Sequence, residues 1–233
     1  MKKLLTLMVS ASMLLSVAAV SLAAEDCNVK GKVYAEYMGF GKDSFKLNDK
    51  SQWGTDDKDK SQDILLGGKV VLMEKFVVSG DGHLGSLLKK DTEGKTTLFK
   101  AGGGYRVYED EQIQLDLLGS YLQMSEKIGK DGKDLAKIDA FMIGADVAYL
   151  IDENMSVEGS VGYSPLQKVS VGGTEVKDKA PHVLTYNAKF NYYFTDNFGV
   201  SAGYNATQFT GGEGVNKVDH NLNGFTLGAT CKF

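Results

Sequence analysis

The sequence predicts an all-β fold: a closed antiparallel transmembrane β-barrel of about ten strands, with short turns at one end and longer loops at the other. Three observations carry that prediction. The chain ends on an alternating stretch, with Phe225, Leu227, Ala229, Cys231 and Phe233 on one parity and Thr226, Gly228, Thr230 and Lys232 on the other. Side chains alternate across a strand, so this segment has one apolar face and one small, polar face. The pattern recurs along the chain. Finally, short acidic turns interrupt it at Met73-Glu74-Lys75, Asp110-Glu111-Gln112, Asp152-Glu153-Asn154 and Thr195-Asp196-Asn197. Their period of roughly 40 residues is that of repeated hairpins.

The first residues stand apart. Lys2 and Lys3 precede an apolar run from Leu4 to Val20, and Ser21-Leu22-Ala23 is a small-x-small cleavage site. This reads as a secretory signal peptide over residues 1–23, cut after Ala23 or Ala24. Residues 24–233 then form one barrel domain. Mean hydropathy is −0.19, which suits a barrel whose strands are half polar. The net charge is −4 with no basic block, which argues against nucleic acid as a partner. The 28 Gly against 2 Pro suit strands and tight turns better than a Pro-rich linker.

Taken in order, the first strand is expected over 28–40, with Val29, Gly31, Val33, Ala35 and Tyr37 facing one way. A polar loop from Gly41 to Ser61 follows, holding Trp53 and Asp56, Asp57 and Asp59. Further strands are expected over 62–73, 76–88, 96–108, 112–126, 136–150, 155–167, 182–194, 198–210 and 221–233. Eight strands remain open if one hairpin is a folded loop. Longer loops are expected at Lys89–Lys95, Lys127–Asp134, Lys168–Pro181 and Thr210–Val218. The outward face is apolar: Ile113, Leu115, Leu117, Gly119 and Tyr121 on one strand, Met155, Val157, Gly159, Val161 and Tyr163 on another. Asp139 breaks the rule and is expected above the lipid or at a bulge.

The opposite parity lines the lumen. Its charged and titratable residues are Lys30, Lys32, Glu36, Lys69, Asp81, His83, Lys100, Arg106, Asp116, Asp146, Glu158, Lys189 and Lys232. A narrow, low-dielectric interior demands that such charges pair. A wall of ten strands is near the size that side chains can fill, so the expectation is a filled lumen, with a narrow pore as the rival.

Chemistry is sparse. No Gly-x-Ser-x-Gly elbow, His-Glu-x-x-His helix or phosphate loop occurs, and no cofactor or metal is implied. Asp219-His220 near the last strand's outer end and Asp81-Gly82-His83 in the third are the only Asp/His pairings that a rim hydrolase could use. Cys27 and Cys231 begin and end the barrel wall. Strands that meet where a barrel closes could join them by a disulfide, unless the register sets their Cα atoms beyond bridging range.

With its signal peptide, its turn and loop asymmetry, and Phe225, Leu227 and Ala229 leading to a terminal Phe233, the chain resembles the bacterial outer-membrane β-barrel superfamily. It is similar to the group of small OmpA-like, OmpX-like and opacity-type barrels. That resemblance implies a place in the outer membrane among lipid and lipopolysaccharide. It also implies that the barrel-assembly machinery reads the C-terminal strand through Phe233. The expected role is non-enzymatic: structural, or adhesin-like through loops that meet a host or surface ligand. The rivals are a narrow porin and, more remotely, a rim hydrolase of the omptin or lipid A-modifying type.

Overall fold

Alternating apolar and polar residues cannot bury both faces, so each segment needs one neighbour on either edge and two solvents on its faces. The computed structural model describes residues 29–47, 50–53, 61–88, 93–128, 133–171, 174–175, 182–211 and 218–233. The expected signal peptide and Cys27 lie outside them. The strands are β1 (Val29–Leu47), β2 (Lys50–Trp53), β3 (Ser61–Leu72), β4 (Phe76–Leu88), β5 (Glu93–Glu109), β6 (Ile113–Ile128), β7 (Lys133–Leu150), β8 (Met155–Val171), β9 (Thr174–Glu175), β10 (His182–Tyr193), β11 (Phe198–Gly211) and β12 (Val218–Lys232).

Ten of these form the wall. Each long strand pairs antiparallel with the next, β8 pairs with β10, and β12 returns to pair with β1. The ring is closed, so no wall strand presents an unpaired edge to lipid. The short β2 and β9 are side branches on β1 and β8.

The strand positions match the expectation, but their outer ends run further. β1 continues to Leu47 and β2 folds back onto it, where a loop was expected from Gly41. Similarly, β5 begins at Glu93, β7 at Lys133, and β8 runs to Val171. Much of the expected loop length is therefore strand. Seventeen residues, as in β8, rise about 40 Å at the usual tilt, while the apolar band of such a barrel is about 25 Å tall. The barrel wall must stand out of the membrane at its loop end. Side chains of Trp53, and residues Asp56, Asp57 and Asp59, lie outside what is described.

The connections at 73–75, 110–112, 151–154 and 194–197 all fall at the end that holds both termini. In this architecture the short-turn end faces the periplasm. The outward belt is exposed where lipid would lie: Phe141, Ile143, Phe225 and Leu227 are 62–66% accessible. Asp139 takes the outward parity. It accepts hydrogen bonds from Tyr121 Oη at 2.6 Å and Gln123 Nε2 at 2.9 Å, and pairs with Lys137 at 3.4 Å. The irregular register of β7 and β8 lies just below it, between Phe141 and Ile143.

Candidate functional site

The barrel interior is the one place where the fold gathers chemistry, and it divides by height. The half nearer the periplasm is charged. Asp116 sits at its centre, accepting from Arg106 Nε and Lys69 Nζ, both at 2.8 Å. Lys69 also reaches Asp146 at 3.4 Å, and Arg106 reaches Glu109 at 3.1 Å. Across the lumen Lys189 pairs with Glu36 at 2.6 Å, and Ser201 Oγ donates to the same carboxylate at 2.8 Å. Lys100 pairs with Asp81 at 3.3 Å, Tyr34 donates to Asp81, and Lys32 pairs with Glu158. The Lys189 ammonium stands 3.8 Å from the centre of the Tyr34 ring.

The links of Lys32, Lys69 and Lys189 join strands that are not neighbours in the wall, so the network reaches across the lumen. Removing one partner of such a buried pair leaves its mate uncompensated, which costs about 3–5 kcal/mol. Gly67 makes room for one part of it: a Cβ there would meet the Tyr34 hydroxyl and Asp81 Oδ1 at 2.5 Å.

The half nearer the outside is apolar. Leu98, Leu122, Met124, Ile138, Met142, Val183 and Phe209 form one buried cluster, and Met38, Leu65 and Leu222 a second. These side chains come from strands right around the wall and meet in the lumen. The residues beside them now face outward and are polar: Thr97, Gln123, Ser125, Lys137 and Asn221. The polarity of the wall therefore inverts with height. Within the lipid band the barrel is apolar outside and charged inside. Above the band it is polar outside and apolar inside, as a water-soluble barrel is.

Sequence reasoning missed this layer because it applied one polarity to each whole strand. The signal was present: in β6 the apolar residues switch from odd positions, Ile113 to Tyr121, to even ones, Leu122 and Met124.

Within the apolar layer lies a small buried polar cluster. His220 Nε2 is 3.5 Å from Glu126 Oε1, and Thr96 Oγ1 donates to Glu126 Oε2 at 2.9 Å. His220 is 2% accessible, whereas its neighbour Asp219 takes the opposite parity. The Asp219-His220 pairing suggested by adjacency is thus split between two faces of the wall. Asp81 and His83 do share the lumen, but His83 is 5% accessible and lies far from the rim.

Cavities remain in the charged half, two of which matter here. The larger, about 190 Å³, opens at the short-turn mouth and is lined by Lys30, Lys32, Lys69, Arg106, Glu158 and Lys232 among others. A smaller one of about 70 Å³ lies deeper, between Lys32, Tyr34, Asp81, Lys100, Asp146 and Lys189.

The seam completes the wall. Gly31 and Phe233 exchange both backbone hydrogen bonds at 2.9 Å. The Phe233 ring covers Gly31, where a Cβ would come within 2.6 Å of it. Phe225 and Leu227 face outward on the same strand, with Ala229 between them and the chain end. Among the described residues Cys231 has no disulfide partner; it stands opposite Val33 on β1 and Phe198 on β11. The second cysteine of the expected bridge, Cys27, lies outside the described residues.

Comparison with solved structures finds the following similarities. The chain is similar to the outer membrane protease OmpT from Escherichia coli, with a TM-score of 0.55 and 10% identity, covering 90% of this chain and 98% of that one. It is also similar to the COG4313 outer membrane channel from Pseudomonas putida F1, at a TM-score of 0.49 and 12% identity over 88% and 95% of the two chains. The translocator domain of autotransporter NalP from Neisseria meningitidis aligns at a TM-score of 0.46 and 11% identity, over 97% and 98%. At 10% identity the likeness to OmpT speaks for the fold alone. No curated protein matches the chain by sequence. The model of the outer membrane protein beta-barrel domain matches residues 11–233, and with its closed wall, lipid-facing belt and charged lumen the chain is an outer-membrane β-barrel protein belonging to that family.

Proposed function

We propose that this protein is a non-enzymatic barrel with a closed lumen, acting at the cell surface through the wall and loops that stand above the membrane. The observation that carries this reading is the apolar layer of Leu98, Leu122, Met124, Ile138, Met142, Val183 and Phe209 across the lumen. An ion passing these side chains would shed part of its water against apolar surface, and the titratable groups buried in the same half, Asp63, His83, Glu126 and His220, are few. A hydrolase reading lacks support from the Asp/His pairings, since Asp219 and His220 part to opposite faces. The outward extension of β1, β5, β7 and β8 supports a surface role, because it lifts the loops clear of the lipid headgroups.

Conductance of the folded protein in a planar bilayer tests the closed lumen. The native protein should be silent, and the double variant Leu122→Ser, Phe209→Ser should open measurable steps. Stable steps from native protein would make the narrow-pore reading the better one. The surface role is tested by exchanging residues 54–60 for a Gly-Ser linker and measuring adhesion of intact cells. Unchanged adhesion, with the barrel still folded, would remove that loop from the account.

A further inference from the structure

A row of like charges crosses the barrel at its seam. The register sets Lys232 directly opposite Lys32, and Lys32 directly opposite Lys69, on the neighbouring strands β12, β1 and β3. Lys30 follows one inward position closer to the mouth. Like charges set directly opposite one another destabilise a sheet, so the row requires compensation.

Part of that compensation is visible. Lys69 has Asp116 and Asp146, and Lys32 has Glu158. Deeper in the lumen Lys100 and Lys189 each have a carboxylate of their own, and Arg106 shares Asp116 with Lys69 and also pairs with Glu109. Lys232 does not: its Nζ reaches the backbone carbonyl of Glu153 at 3.4 Å and stands 4.3 Å from the centre of the Tyr193 ring. Among the described residues, no carboxylate pairs with either Lys30 or Lys232. Positive charge in excess is therefore confined to the mouth.

Both ammonium groups line the cavity of about 190 Å³, together with Lys32, Lys69 and Arg106. The cavity opens towards the periplasm, and above it lie the ion-pair network and the buried apolar clusters. Asp152 and Glu153 also line it and offset part of this charge; Asp152 Oδ1 accepts from the Asn154 N–H at 2.8 Å, and Glu153 stands exposed at the rim.

We propose that this pocket binds a compact dianionic oxyanion of the phosphate or phosphate-monoester class, with Lys30 and Lys232 as its principal ligands. Two uncompensated ammonium groups match a double negative charge. Lysine ammoniums act as point donors that suit a tetrahedral oxyanion, and Lys32, Lys69 and Arg106 add a positive wall behind them. The volume admits a phosphate with little more than one small carrier group.

The test is isothermal titration of the folded barrel, in maltoside micelles that carry no phosphate headgroup, at low ionic strength. Inorganic phosphate and glucose 1-phosphate are the two probes. Saturable binding is expected, weakened about tenfold in Lys30→Gln and in Lys232→Gln, which is about 1.4 kcal/mol each. Lys95→Gln, at the other end of the barrel, should leave it unchanged, and Glu153→Gln should tighten it. Heat-modifiable gel migration verifies that each variant is folded. A tighter glucose 1-phosphate supports the proposal and identifies a phosphorylated sugar; a tighter inorganic phosphate supports it and identifies the free ion. No saturable binding of either probe would overturn it. So would native affinity in both lysine variants, or acetate binding as tightly as phosphate.

Discussion

Met73 and Glu74 hold the tip of the β3–β4 hairpin at φ of 51° and 65°. Lys75 N–H donates to Leu72 C=O at 3.1 Å across them. Two successive residues at positive φ match the type I′ turn that best fits strand twist, and that turn favours Asn-Gly. A residue with a Cβ costs roughly 1–2 kcal/mol in this region. The double variant Met73→Asn, Glu74→Gly should therefore stabilise the barrel by about 1–2 kcal/mol, read as a higher urea midpoint in lipid vesicles. An unchanged midpoint would mean that the turn is not under strain. At the next turn, Asp110 accepts hydrogen bonds from Tyr108 Oη and from the Ile113 and Gln112 N–H groups. The tyrosine hydroxyl first, then the two amides, hold its carboxyl below the usual range. A depressed folded pKa adds stability above the unfolded value of about 3.9, and that addition is lost as pH falls through the folded value. Asp110→Asn should flatten the acid limb of the stability profile below about pH 4, and a profile identical to native would refute the role.

At the scale of elements, the seam between β1 and β12 depends on an unequal pair. Gly31 offers no side chain, and Phe233 lays its ring in the vacant place. Gly31→Ala would push a methyl group against that ring and within 3.0 Å of the Lys69 carbonyl. Overpacking of this kind costs about 1–3 kcal/mol, and here it also displaces the terminal aromatic. The variant is expected to fold into vesicles more slowly than native protein, with Phe233→Ala combined with Gly31→Ala no slower than Phe233→Ala alone. Additive slowing would separate the two residues. The same register bears on the cysteines. Val29, the first described residue of β1, already lies four positions from Val33, which stands opposite Cys231, about 13 Å along the strand, while a disulfide needs Cα atoms within about 7 Å. Both thiols should therefore react with maleimide in unreduced, denatured protein. Protection of both, with a gel shift on reduction, would establish the bridge instead.

For the whole molecule, the sequence was most legible where one rule held along a strand. Strand positions followed from period-two alternation and acidic turns, because lipid and lumen impose opposite demands on alternate residues. The outer ends were less legible, since polar residues such as Lys95, Lys127 and Lys168 read as loop while their backbones remain paired. The ion-pair partners were not legible at all: which lysine meets which carboxylate depends on tilt and stagger around the closed wall. The inversion of polarity explains why both ends of a strand can be strand and yet look unlike. It also predicts a sharp dependence on depth. Arginine on the lipid face at the midplane costs about 2–4 kcal/mol and near the interface about 0–1. Leu117→Arg, outward and mid-belt, should fall in the first class. Gln123→Arg, outward and two positions past Tyr121 on the same strand, should be almost neutral, because Tyr121 already marks the edge of the lipid. Met124→Arg, its inward neighbour, should be severe again, since it buries a charge in the apolar layer. Urea unfolding in vesicles reads all three. The order severe, neutral, severe is the signature of a wall that changes solvent partway up, and a steady decline from Leu117 to Met124 would show that lipid depth alone governs the strand.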